Sequence, residues 1–266
     1  MIQWLKELDE VLRGRKADPH LLATGTAHIR IQPLVFVSIL LGVIYGLFMG
    51  LYAVLTRTPP CLAQMFASAV KVPALFILTL VVTFPSLYVF SALLGVRLGP
   101  KDTLRLILAP VAANLTVLAS LGPITGFFTL STSSYPFMKL LNFLFFAVSG
   151  VIGLKVLLTM LSRLEAAQAA PVAVPQDAVE DNESDGTAEP PKLAKILSPS
   201  VSAPEPNTAR TTFRVWLVIY ALVGAQMGWV LRPFVGDPDL PFQLFRVREA
   251  NIFVDVVRTI GALFGR

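Results

Sequence analysis

The chain has 266 residues, 55% of them hydrophobic and only 15% charged, and its mean hydropathy is +0.68. A soluble domain carries about 25% charged residues, and a soluble chain this apolar has no wetted surface for its surplus. The net charge of +5 does not point to nucleic acid, because the Lys and Arg residues stand singly at the edges of apolar blocks, without the basic-aromatic interleaving that tracks a phosphate backbone.

The first sixteen residues, MIQWLKELDEVLRGRK, are charged throughout, which argues against a cleavable signal peptide. Within residues 1–32, Trp4, Leu5, Leu8, Val11 and Leu12 share one helical face and Lys6, Glu7, Asp9, Glu10 and Arg13 the other. That pattern predicts an amphipathic helix lying on the membrane surface or on a partner.

The membrane domain is predicted over residues 33–163, with spans near 33–55, 72–95, 104–130 and 137–161. In the first, Ser38, Gly42, Gly46 and Gly50 recur every four residues and line one face. Small residues at that spacing let another backbone approach closely, which predicts a helix-packing seam within the chain or between copies. The second span contains Pro85, a predicted kink, with Thr83 and Ser86 placed to take up freed carbonyls. The third block contains Pro110, Asn114, Gly122, Pro123 and Gly126, and both one long helix and a helix with a re-entrant piece fit it. Asn114 reads as a hydrogen-bonding group between helices. Asn142 lies inside the fourth span, with Ala147, Gly150 and Gly153 as a second small surface.

Residues 164–211 are rich in Ala, Pro and Ser and in acids from Asp177 to Glu189. Such a segment buries too little apolar surface to offset its ordering entropy, so a disordered loop is predicted. A fifth span follows within residues 212–236, with Trp216 and Trp229 near its ends as an aromatic belt. Ala221, Gly224, Ala225 and Gly228 supply two further small-residue pairs, and Arg232, Pro233 and Gly236 stop the helix. In residues 237–266, Ile252, Phe253, Val256, Val257, Ile260, Leu263 and Phe264 fall on one face of a last, interfacial helix. The fold class predicted is an all-α integral membrane protein: a five-helix transmembrane bundle with N- and C-terminal interfacial amphipathic helices. Most Lys and Arg lie on the N-terminal side of the five spans, which places the N terminus and the 164–211 loop in the cytoplasm.

No constellation for catalysis emerges. His20 and His28 both precede the first span, and Cys61 has no partner at metal-ligand spacing. The apolar cores of the spans lack Asp and Glu, which argues against ion-coupled transport. No cofactor, metal or catalytic residue is expected. The polar groups Gln226, Arg232 and Asp237 share one rim at the end of the fifth span and form the candidate functional patch. Arg232 there either holds a lipid phosphate, pairs with Asp237, or snorkels.

The five-span pattern with a polar N-terminal segment resembles the Yip1 superfamily. The stretch Gly224 to Gly236, GAQMGWVLRPFVG, followed by Pro241-Phe242 and Phe245-Arg246, is similar to a segment of bacterial polytopic membrane proteins grouped near it. The acidic-aromatic N-terminal motif of the eukaryotic members is missing, and no functional residue carries over. The resemblance implies a helical, non-enzymatic protein of membrane organisation. The expected function is therefore a scaffold or assembly component of the bacterial inner membrane. Its partners would be the bilayer and other membrane proteins or copies of itself, not nucleic acid. A passive channel or carrier for a neutral solute is the alternative.

Overall fold

The computed structural model describes residues 31–93, 100–169, 206–245 and 252–265. The predicted N-terminal helix, both histidines and most of the predicted disordered loop lie outside the described residues. Among the described residues six helices are formed: α1 (Ile31–Thr56), α2 (Leu62–Leu93), α3 (Pro100–Ser131), α4 (Tyr135–Ala169), α5 (Pro206–Leu231) and α6 (Ile252–Leu263). A 26-residue helix such as α1 is about 39 Å long, enough to cross a hydrocarbon core of about 30 Å. Among the described residues four helices are long and apolar enough to cross, and α5 carries a shorter apolar stretch, Val218–Leu231. Together they make an all-α membrane bundle.

Several boundaries differ from the sequence expectation. α2 starts at Leu62, ten residues before the predicted start of the second span, so Gln64, Ser68 and Lys71 belong to it. Pro73 does not break it, because neighbouring helices support the backbone around a membrane proline. The third block is one helix through Pro110 and Pro123, without a re-entrant piece. Residues 164–169 extend α4 and residues 206–211 begin α5, so the predicted loop is narrower at both ends.

Contacts fix the directions. Gly42, Gly46 and Gly50 of α1 lie against Pro73, Ser68–Ala69 and Met65 of α2 respectively, so the two helices run antiparallel. A Cβ on Gly46 would sit 2.5 Å from the Ser68 carbonyl oxygen, and one on Gly50 2.5 Å from the Met65 Cα. The small-residue face of α1 thus lies against main chain of its own neighbour. On another side of α1, the Phe48 ring rests on Gly122 and Gly126 of α3. Gly153 of α4 abuts the Pro110 carbonyl and Asn114 of α3, and Gly228 and Gly224 of α5 face Leu75 and Thr79 of α2. The bundle therefore has an Ile31 end and a turn end. The turn end holds the α1–α2 and α3–α4 connections and the exit of α5.

Buried polar groups tie the helices where no water competes. The Tyr45 hydroxyl donates to Asn142 Oδ1 (2.8 Å) while the Asn142 amide donates to the Met138 carbonyl (2.8 Å), linking α1 to α4. The Trp216 indole donates to Ser86 Oγ (3.0 Å), linking α5 to α2. Both predicted belt residues, Trp216 and Trp229, are buried against protein. Thr83 Oγ1 donates to the Thr79 carbonyl and Ser86 Oγ to that of Thr83; neither reaches the Val81 carbonyl that Pro85 leaves free. At the centre, Phe146 meets Tyr45 edge-on (5.7 Å), stacks with Phe76 (6.3 Å) and touches Phe234 (6.3 Å). Each such ring pair adds about 1 kcal/mol beyond its buried area.

Candidate functional site

The densest buried polar cluster stands at the turn end, on a face of α2. Gln64, Ser68 and Lys71 are spaced four and three residues apart, so they form one stripe, and all three are buried. They face the chain that leaves α5. Gln64 Nε2 donates to the carbonyls of Pro233 (3.1 Å) and Phe234 (3.0 Å). Ser68 Oγ donates to the Phe234 carbonyl. Lys71 Nζ donates to the Pro233 carbonyl (2.9 Å) and to that of Leu244, and lies 5.3 Å from the centre of the Phe245 ring.

The chemistry follows from helix geometry. Lys71 is nine residues, about 13 Å, into α2, and side chains on a helix lean toward its N-terminus. The ammonium thus reaches back toward the turn end. Its two carbonyl partners belong to the beginning and the end of residues 233–244, a stretch with the size of a compact Ω-loop. One cation closes the loop.

The rest of the loop is held by other means. Gly236 has φ near 80°, a conformation open to glycine, and a Cβ there would lie 2.7 Å from Gln64 Cγ. Asp237 Oδ1 accepts from the Asp239 amide (3.1 Å), an Asx-type turn. At the tip, an Arg57 guanidinium nitrogen in the α1–α2 connection donates to the Leu240 carbonyl. Leu240, Phe242, Leu244 and Phe245 point outward.

α6 sits at the same end. Lys139, in the first turns of α4, pairs with Asp255, and Thr259 is buried. At 100° per residue, Phe253, Val257, Ile260 and Phe264 form a separate stripe, and all four are exposed. The helix rests on the bundle through Asp255 and Thr259 and turns its most apolar stripe away from it.

Of the rim expected from sequence, Gln226 is exposed on α5, the Arg232 guanidinium lies 3.7 Å over the Trp229 ring, and Asp237 opens the loop turn. Ser38 is buried and donates to the Leu34 carbonyl (2.7 Å). Ala221 is exposed and Ala225 half-buried, while Gly224 and Gly228 make ordinary contact with α2 side chains. The α2 residues of the clamp were not among the expected site residues. Their signal was available: Gln, Ser and Lys on one stripe just before an apolar run mark a polar face. Lys71 stood one residue outside the predicted span and read as a boundary charge.

Comparison with family models, with curated proteins and with solved structures finds no match for this chain.

Proposed function

We propose that this chain is a non-enzymatic multi-pass protein of the bacterial inner membrane that serves as a scaffold or assembly component. The observation that carries this reading is the use made of the buried polar stripe. Gln64, Ser68 and Lys71 are spent on main-chain carbonyls of the chain's own loop, so they build a platform. That platform, with α6 beside it, turns Leu240, Phe242, Phe253 and Phe264 outward, a surface suited to lipid or to another apolar helix. The resemblance of the span pattern to the Yip1 superfamily, and of residues 224–246 to a segment of bacterial polytopic membrane proteins grouped near it, supports the same reading. The excess of Lys and Arg on the N-terminal side supports a cytoplasmic N terminus and a cytoplasmic 164–211 segment.

The test is chemical crosslinking in native membranes followed by native mass measurement in mild detergent. A scaffold co-purifies with another membrane protein or forms a defined oligomer, and Phe242→Ser with Phe253→Ser weakens that association. A strictly monomeric chain with no associated protein counts against the proposal.

A further inference from the structure

A groove of about 120 Å³ lies between α1, α2 and α3 in the half of the bundle nearest the Ile31 end. Its walls include Val35 and Ser38 of α1, Pro73 and Phe76 of α2, and Leu108 and Val111 of α3. Ser38 is the one polar residue on the wall, and its hydroxyl is already committed to the Leu34 carbonyl. A water needs two to four polar partners to stay in a cavity, and an apolar cavity of this order takes apolar guests instead.

Length and position narrow the guest. Along α3 the wall runs from Leu104 to Leu115, about 16 Å at 1.5 Å per residue. That is half of a hydrocarbon core of about 30 Å, the depth of one leaflet. Beyond Ser38 the space closes where Gly42 meets Pro73, a Cβ there being 3.1 Å from the proline Cβ. The side is open: Ile39 and Ile77 on the wall are 36% and 42% exposed, so the groove is continuous with the lipid-facing surface of the spans. We propose that it binds one acyl chain of a bilayer phospholipid from the leaflet at the Ile31 end.

Photolabelling of the full chain tests this. The protein is reconstituted in phosphatidylethanolamine–phosphatidylglycerol vesicles containing a phosphatidylcholine with a diazirine midway along one acyl chain. After illumination, adducts are mapped by peptide mass. Adducts are expected on Leu108 or Val111, which are only 5% and 3% exposed, as well as on the outward-facing Val148 of α4. Val35→Phe, which fills the groove, is expected to remove at least four-fifths of the Leu108–Val111 labelling and to leave Val148 labelled, showing that the variant is still inserted. Labelling of Val148 without Leu108 or Val111 overturns the proposal and leaves the residues before Ile31 as the occupant to examine. Labelling of Leu108–Val111 that is unchanged in Val35→Phe overturns it as well.

Discussion

Lys71 is a cation buried inside a helix that crosses a membrane, and its two carbonyl bonds explain how it is accommodated. Hydrogen bonds to a charged group contribute roughly 1.5–3 kcal/mol. Lys71→Met keeps the apolar stem and removes the ammonium. The variant is expected to lose about 2 kcal/mol of stability and to become open to protease between Gly236 and Phe245, read by thermal unfolding in detergent and by cleavage mapping. An intact loop in Lys71→Met means the clamp does not hold it. Asn142 and Asn114 give a contrasting pair. Asn142 has both ends bonded, so Tyr45→Phe is expected to cost about 1 kcal/mol. Among the described residues Asn114 Oδ1 has no hydrogen-bond partner. Asn114→Leu is therefore expected to be neutral or stabilising in the same unfolding assay, since it removes an unpaired acceptor.

At the scale of the helix, two glycines separate cleanly. Gly46 touches the backbone of Ser68 and Ala69, whereas Gly150 has nothing within 4 Å of its would-be Cβ. Gly46→Leu forces α1 and α2 apart and is expected to abolish recovery of monodisperse protein. Gly150→Leu is expected to behave as wild type in size-exclusion chromatography. Equal recovery of the two variants removes the argument from close approach. The period-four glycines were readable from sequence because close packing in lipid demands small residues at that interval. The partner was not readable: nothing in α1 says that the facing backbone is Met65 to Pro73 of α2. Span positions were also readable, since apolar length is dictated by bilayer thickness. The start of α2 was missed because a buried lysine was treated as a boundary charge. Nor was the closing of the 233–244 loop readable, because it depends on backbone carbonyls, which carry no sequence signature. Asn114 was expected to bridge helices, but Asn142 does so, and only the facing tyrosine distinguishes them.

For the molecule as a whole, the contacts put α6 at the turn end, through Lys139 and Asp255, and the exit of α4 at the opposite end. A reporter fused after Arg163 and one fused after Arg266 are expected on opposite sides of the membrane. Signals on the same side require a different path for α5.

α1 is also the common wall of the bundle: its glycines receive α2 and its Phe48 rests on α3, while α2 and α3 touch each other little. This sets an order that matches synthesis. As each helix after α1 leaves the ribosome, its main partner is already in the bilayer: α2 finds α1, α3 finds α1, α4 finds α3, α5 finds α2, and α6 finds α4. Only α1 waits for its partners; no helix after it does.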